Sequence, residues 1–192
     1  ALEALDFWTQ ARAYPAADIA ADRYYREFVR ARAQIPEAAP ALLAEPWQSL
    51  GPTNFSGRMI SVALHPTNPK IVYAGSASGG LWRSATGGLG GDWTRVATSG
   101  FPVLGVNAIA IDPSDPATMY IGTGEVYRYQ NSVGGLVGRT TRGSYGLGIL
   151  KTTDGGASWT KSLDWSYNQE PGVQAIRLNP ENPATLFAAT TE

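Results

Sequence analysis

The sequence contains no cysteine and only one histidine, His65, among its 192 residues. Without cysteine the chain has no disulfides and no thiolate nucleophile, and one histidine cannot build a multi-histidine metal site. A formal net charge of −1 provides no basic field, so we expect no nucleic-acid partner. No apolar run approaches the roughly 18 residues that a membrane helix needs, so no membrane span is predicted.

Charged residues are also scarce, at 16% of the chain, whereas glycine (22) and proline (13) are plentiful. Such a composition predicts many turns and short strands. The first residue is Ala1 rather than methionine, and the last residues read as a strand that stops short. We therefore expect a processed chain or a piece of a longer protein.

The beginning of the chain differs in character from the rest. Residues 1–35 are predicted to be helical, because Leu2, Leu5 and Trp8 recur at three-residue spacing and Asp18 suits the N-cap of a second helix. Residues 36–46, with three prolines, predict a linker. The strand-like remainder, 47–192, is predicted to hold the first blades of a β-propeller.

The propeller prediction depends on a unit that occurs three times. The unit is a β-rich run, a polar-Pro-x-polar-Pro turn and a second β-rich run that ends in an aromatic residue, and it covers residues 62–73, 109–120 and 176–187. The first two copies are 47 residues apart, which is about one four-stranded blade, and the third follows after 67. The larger spacing is one blade plus an insertion of roughly twenty residues.

These spacings predict a mainly β fold, namely a β-propeller of four-stranded blades preceded by a short α-helical segment. About two and a half blades are expected, with blade 1 at about 55–98, blade 2 at about 104–163 and an incomplete blade 3 from about 172. Strands A to D are predicted near 58–64, 71–75, 80–84 and 93–97 in blade 1. In blade 2 they are predicted near 106–111, 118–122, 148–152 and 159–162.

A short motif between strands C and D of blade 2 matches the pattern Ser/Thr-x-Asp-x-Gly-x-Ser/Thr-Trp without a mismatch. Its residues are Thr152, Asp154, Gly156, Ser158 and Trp159. Asp154 can accept hydrogen bonds from turn N–H groups, and glycine suits the tight turn. Blade 1 holds a degenerate copy with Ser84, Gly88 and Trp93, in which Thr86 is expected to replace the aspartate and two extra residues precede the tryptophan.

With this motif the chain from Trp47 onward resembles Asp-box (BNR-repeat) propellers, a group that includes sialidases, sortilin-type receptors, the xyloglucanase family and photosystem assembly factors. It is similar above all to large exported BNR-repeat proteins of Bacteroidota-like bacteria, through the segments 47–58 and 121–125. That resemblance implies an extracellular or outer-cell-surface location, with type IX secretion as the candidate route. It does not imply one activity, because Asp-boxes are structural.

Two catalytic patterns of the resembled families can be checked. The early Phe/Tyr-Arg-Ile-Pro segment of sialidases is absent, and Arg58 stands in a different context. The xyloglucanase family carries a catalytic aspartate in an early Thr-Asp-x-Gly-Gly, and the matching position here is Ala77. We therefore expect a binding or scaffolding module with no catalytic residue in this segment. The alternative is a glycoside hydrolase whose carboxylates lie mainly in later blades.

In a propeller the B–C and D–A connections emerge on one face, where long loops favour binding. Glu125 is the best single candidate there, and the alternative is a structural carboxylate that holds loop N–H groups or pairs with Arg128, Arg139 or Arg142. Trp165 is a candidate for stacking on a sugar, with core packing as the alternative. The candidate ligand or partner face comprises Phe55, Arg58, Ser76, Glu125, Tyr127, Arg128, Tyr129, Arg139, Arg142, Tyr145 and Trp165.

No metal and no cofactor is expected. Asp112, Asp115, Asn179 and Asn182 have the spacing of Asx-Pro turns rather than of an EF-hand, and His65 is expected to cap the equivalent turn. The expected partner is a protein, or the remaining blades of the same protein, covering the open edge of the propeller. A glycan is a further candidate ligand.

Overall fold

A computed structural model describes residues 7, 10–16, 21–34, 57–103, 105–125, 146–167 and 171–191. The chain divides into two compact units, Ala1–Phe55 and Ser56–Glu192. In the first unit, helix α1 spans Ala21–Gln34. Tyr25 is buried and stacks on Phe28 with ring centroids 6.4 Å apart, while Glu27 and Arg30 form an exposed ion pair at 3.2 Å.

The described part of the second unit consists of antiparallel sheets. The first has the order β1-β2-β3-β4, with strands Met59–Leu64, Val72–Ser76, Leu81–Ser84 and Thr94–Arg95. The second has the order β5-β6-β7-β8, with strands Val106–Ile111, Met119–Thr123, Gly148–Thr152 and Thr160–Asp164. A third pair, β9 (Val173–Leu178) and β10 (Leu186–Thr190), begins another sheet.

This mainly β architecture confirms the predicted fold class. The strands lie close to their predicted positions, because the repeat places each proline turn between the same two strands. The clearest deviation is β4, which is reduced to Thr94–Arg95 although strand D was predicted over 93–97. We call the first, second and third sheets blades 1, 2 and 3.

The three proline turns have the same cap. His65 Nδ1 accepts from the N–H of Thr67 at 3.3 Å and of Asn68 at 3.1 Å. Asp112 Oδ1 accepts from the N–H of Ser114 at 2.8 Å, and Asn179 Oδ1 from that of Glu181 at 3.0 Å. Each side chain before the first proline thus caps its turn, which is the role that the repeat predicts.

The blades pack face to face. Ser61 Oγ donates to the carbonyl oxygen of Val106 at 2.7 Å, which ties blade 1 to blade 2. Asn107 Nδ2 donates to Gln174 Oε1 at 2.5 Å, which links the innermost strands of blades 2 and 3. The apolar core between blades 2 and 3 is formed by Ala108, Tyr120, Ile149, Val173 and Ile176.

Candidate functional site

One edge of the blades carries a repeated backbone contact. Ala77 N donates to Arg58 O, Gly124 N to Gly105 O, and Thr191 N to Gly172 O, each at 3.0 Å. In every blade this bond joins the start of the innermost strand to the end of the next strand. Arg58 therefore occupies the position that glycine holds in the other two blades, and Glu125 follows this clamp in blade 2.

Arg58 and Glu125 form an ion pair between blades 1 and 2. The two terminal nitrogens of Arg58 donate separately to Oε1 and Oε2 of Glu125. The Glu125 side chain is 0% exposed, whereas that of Arg58 is 50% exposed. A bidentate arginine is the partner that best compensates the desolvation of a buried carboxylate. Both oxygens of Glu125 are thereby engaged, and half of the arginine faces outward.

The loop after β2 lies beside Arg58 and is held by its own hydrogen bonds. Ser76 Oγ accepts from Gly79 N at 2.5 Å, and Trp82 Nε1 donates to Gly79 O at 3.0 Å. Ser76 is buried, so its hydroxyl organises the loop rather than facing solvent. These residues border a groove of about 600 Å³ on blade 1, lined mainly by Arg58, Met59, Val62, Ser76, Trp82 and Trp93.

The base of the long loop in blade 2 is also fixed. Thr123 Oγ1 donates to Gly148 O and accepts from Leu147 N, both at 2.7 Å. Trp165 donates its backbone N–H to Leu147 O at 3.0 Å and packs against the core between blades 2 and 3. Trp165 is thus partly buried against this core. Seven candidates lie outside the described residues: Phe55, Tyr127, Arg128, Tyr129, Arg139, Arg142 and Tyr145.

The turn between β7 and β8 is closed by Asp154. Its Oδ1 accepts from Thr152 Oγ1 at 2.7 Å and from Ser158 N at 2.8 Å, and its Oδ2 accepts from Ser158 Oγ at 2.5 Å. These bonds, that of the Ser158 hydroxyl first, hold the pKa of Asp154 well below its ordinary value. Gly156 has a positive φ of 97°, and its carbonyl accepts from Trp159 Nε1 at 3.1 Å. These hydrogen bonds of Asp154 come from within the turn, whereas Gly155 N and Trp159 N donate outside it, to Ala117 O and Ser99 Oγ.

The corresponding turn of blade 1 obtains its carboxylate from an unexpected residue. Asp92 Oδ1 accepts from Ser84 Oγ at 2.7 Å, and its Oδ2 accepts from Ala85 N at 2.8 Å. Thr86, expected to replace the aspartate, instead donates its hydroxyl to Leu89 O at 2.6 Å. Gly88 N donates to Ser84 Oγ at 2.8 Å, as the equivalent glycine does in blade 2. The two extra residues before Trp93 allow the Asp92 carboxylate to reach Ser84 and Ala85. A position-by-position alignment of the two turns does not reveal this substitution.

Three further described aspartates, Asp92, Asp112 and Asp164, have pKa values shifted below the ordinary value, which is opposite to the shift of a catalytic acid. A catalytic acid needs a raised pKa, and a second carboxylate must stand across the scissile bond. The Ser84 hydroxyl lowers the pKa of Asp92 and the Ser114 hydroxyl that of Asp112, while for Asp164 burial is outweighed by bonds from Ser166 and Lys161. Within the described ranges no group of three or more His, Asp or Glu side chains could hold a metal ion.

The chain was compared with known proteins. No protein-family model matches it, and no curated protein matches it. Among solved structures, an ancestral GH74 enzyme is similar with a TM-score of 0.52 and 20% identity, over 76% of this chain and 15% of that enzyme. The Niastella koreensis GH74 enzyme has a TM-score of 0.47 and 25% identity, over 67% of this chain and 16% of that chain. The GH74 xyloglucanase from Xanthomonas campestris has a TM-score of 0.37 and 16% identity, over 70% and 28%.

The likeness to the ancestral enzyme, at a TM-score of 0.52, concerns the fold. Together with the antiparallel four-stranded sheets, it defines the class of protein: the described strands are blades of a β-propeller. The chain spans only 15% to 28% of the length of these three enzymes.

Proposed function

We propose that the chain belongs to an exported β-propeller that works as a binding or scaffolding module, on the cell surface or in an extracellular assembly. The observation that carries this proposal is the Arg58–Glu125 pair. It engages the buried carboxylate and presents a half-exposed arginine side chain at the groove on blade 1. Such a group donates hydrogen bonds to carboxylates or sugar hydroxyls but provides no general base.

The proposal includes the motif between β7 and β8, which we take to be an Asp-box that stabilises its hairpin. The hydrogen bonds of Asp154 support this assignment. We propose that the candidates outside the described residues also take part in binding, namely Phe55, Tyr127, Arg128, Tyr129, Arg139, Arg142 and Tyr145. Aromatic and arginine side chains are the types enriched where proteins bind partners.

The test measures binding and turnover separately. The chain is applied to an array of soluble polysaccharides, and hits are titrated by calorimetry while reducing ends are assayed. We expect saturable binding without new reducing ends. Arg58→Ala should weaken binding by about tenfold, equivalent to one charge-assisted hydrogen bond. Lys70→Ala, an exposed change at the proline turn, is the matched control and should bind like the parent.

Two negative results together would contradict the proposal that Arg58 lies on a binding surface. They are an array without hits, and no effect of Arg58→Ala on capture of a protein partner from the secreted fraction. Release of reducing ends would favour the second candidate function. That candidate is a glycoside hydrolase whose catalytic carboxylates come from outside the described residues, and the fold likeness to a GH74 enzyme is the observation that favours it. Xyloglucan is the substrate with which to test it, and loss of turnover on removing carboxylates outside 57–191 would support it.

The proposed location is extracellular or at the outer cell surface, by a route such as type IX secretion, and it depends on the resemblance to exported BNR-repeat proteins. Among the described residues no helix is long and apolar enough to cross a membrane. Protease treatment of intact cells is the test. Digestion of the protein while cytoplasmic markers survive would support the proposal, and full protection would contradict it.

A further inference from the structure

The turn between β1 and β2 is capped by the single histidine of the chain, His65. Its Nδ1 accepts from the N–H of Thr67 at 3.3 Å and from that of Asn68 at 3.1 Å. A backbone N–H only donates, so Nδ1 carries no proton and the neutral ring holds its proton on Nε2. The cap therefore requires the neutral imidazole, because a protonated ring would place a third donor, Nδ1–H, against the other two.

The equivalent caps of blades 2 and 3 do not depend on pH in the range where histidine titrates. Asp112 Oδ1 accepts from Ser114 N at 2.8 Å and from Asp115 N at 3.2 Å. The Ser114 hydroxyl lowers the pKa of Asp112 below its ordinary value, so this carboxylate remains an acceptor in mild acid. In blade 3 the acceptor is the amide oxygen of Asn179, which does not titrate. Of the three turns, that of blade 1 alone has a cap that mild acid removes.

The His65 cap also supports the neighbouring turn of blade 1. Asn68, whose N–H is held by His65, accepts from Lys70 N at its Oδ1 at 3.1 Å and from Ile71 N at its carbonyl oxygen at 3.0 Å. The carbonyl oxygen of Lys70 accepts in turn from Gly87 N at 2.6 Å. Gly87 belongs to the turn between β3 and β4, so hydrogen bonds connect this turn to the one that His65 caps.

Blade 2 has the same connection without a histidine. Gly155 N, in the turn between β7 and β8, donates to the carbonyl oxygen of Ala117 at 2.9 Å. Ala117 is the equivalent of Lys70 and lies in the turn that Asp112 caps. Blade 2 therefore serves as an internal reference, in which the two turns are coupled but the cap does not change between neutral pH and mild acid.

The surroundings of His65 provide no second acceptor for both amides. Besides Lys70 on its own turn, the charged and titratable residues that line a groove of about 590 Å³ with His65 are Tyr73, Arg83, Arg95 and Asp154. The arginines oppose a positive ring and Asp154 favours it, but the carboxylate oxygens of Asp154 already accept within their own turn. Thr67 Oγ1 lies 3.4 Å from Nδ1 and can accept its proton, which still leaves the N–H groups of Thr67 and Asn68 without their acceptor.

We infer that His65 is a pH-sensitive switch for the outer part of blade 1. Protonation of its ring releases the turn between β1 and β2 and, through Lys70 and Gly87, loosens the turn between β3 and β4, while blades 2 and 3 keep their caps. This inference rests on the turn hydrogen bonds and not on the proposed binding function, so either can fail without the other.

Hydrogen exchange of the full chain at pH 7.5 and 5.5, with rates corrected for the intrinsic effect of pH, tests the switch. In the parent we expect protection of residues 84–92 to fall by about tenfold at pH 5.5, the change that loss of one net hydrogen bond produces. Protection of 152–159, the equivalent turn of blade 2, should not change. His65→Asn, with the capping residue of blade 3, should protect 84–92 equally at both pH values. Lys70→Ala, which keeps the backbone carbonyl, is the matched control and should retain the pH effect.

Three results would overturn the switch. They are equal protection of 84–92 in the parent at both pH values, a pH effect that persists in His65→Asn, and a loss of protection confined to residues 66–70. Nitrogen NMR of the imidazole gives an independent reading, since a proton on Nδ1 at pH 7.5 would contradict the cap itself. Circular dichroism at both pH values verifies that each variant keeps its sheets.

Discussion

Arg58 is the residue at which blade 1 departs from the other blades, because glycine occupies the equivalent positions, Gly105 and Gly172. The side chain added at this position reaches Glu125 in the next blade. The Arg58 side chain is half exposed, whereas that of Glu125 is fully buried. Substituting one residue or the other should therefore lower the free energy of unfolding by different amounts.

Arg58→Ala should destabilise the chain more than Glu125→Gln. The first change removes the bidentate arginine from a fully buried carboxylate, for which about 3–5 kcal/mol is expected. The second removes the buried charge and leaves a half-exposed arginine, for which about 1–3 kcal/mol is expected. Urea unfolding at pH 7 measures both. If the two variants lose equal free energy of unfolding, or if Glu125→Gln loses more, the buried carboxylate is not stabilised mainly by Arg58.

Asp154 makes stability depend on pH in a defined direction. Its pKa is lower in the folded chain than the ordinary value of 3.8, first because of the Ser158 hydroxyl, so its contribution is fully present above that value and is lost as pH falls. The stability difference between the parent and Asp154→Asn should therefore be constant from about pH 7 to 5 and should shrink below about pH 4. Ser158→Ala removes the main cause of the lowered pKa, so stability should change less with pH in this variant than in the parent. A difference that persists unchanged at pH 3 would contradict the ionised role of Asp154.

At the scale of elements, the turns set the lengths of the outer strands. The turn of blade 2 closes with Asp154 and Ser158 four residues apart, and β8 runs over Thr160–Asp164. In blade 1 the carboxylate comes from Asp92, directly before Trp93, and β4 is limited to Thr94–Arg95. In both blades an aspartate thus accepts a hydrogen bond from the hydroxyl at the start of the turn, but blade 1 has a longer loop and a shorter outer strand.

The two glycines that lie against the next blade, Gly75 and Gly122, should not tolerate a side chain. Gly75→Ala and Gly122→Ala each place a Cβ against the next blade, and overpacking of this kind costs about 1–3 kcal/mol. Gly57→Ala is the matched control, because a Cβ there has nothing within 4 Å. Thermal unfolding compares the three variants. If Gly75→Ala and Gly57→Ala both have the melting temperature of the parent, blade 2 does not pack against Gly75 as closely as the structure shows.

At the scale of the whole molecule, the described strands of the second unit are most deeply buried where one blade covers another. Strands Val72–Ser76 and Met119–Thr123 are buried along their length, whereas β4 and most of β10 are exposed. Local opening is expected to follow this gradient.

Hydrogen exchange should therefore protect the amides of β2, β6 and β7 most strongly and those of β4 and β10 least. Amide exchange followed by mass spectrometry measures this order at neutral pH. Uniform protection across all ten strands would instead indicate that the outer strands are covered by further structure.

Much of this architecture could be predicted from the chain, because the repeat is periodic in local terms. The residue before each first proline caps a turn, and the runs on either side alternate as strands do, so His65, Asp112 and Asn179 mark three blades. The site could not be predicted in the same way. Arg58 and Glu125 are 67 residues apart and lie in different blades, so no local pattern connects them. Asp92 was missed because an insertion moved the carboxylate away from its usual place in the motif.

The sequence by itself determined the strand order, the proline turns and the fold class, since each depends on residues that are neighbours along the chain. Only the tertiary structure decided which arginine holds Glu125, which aspartate closes the turn of blade 1 and which glycines face the next blade. These features depend on contacts between blades, and the distance at which two sheets pack is a property of both surfaces. Gly75 and Gly122 illustrate the difference: the sequence shows a glycine in each strand, but only the packing shows that Val106 and Val173 of the next blade lie against them.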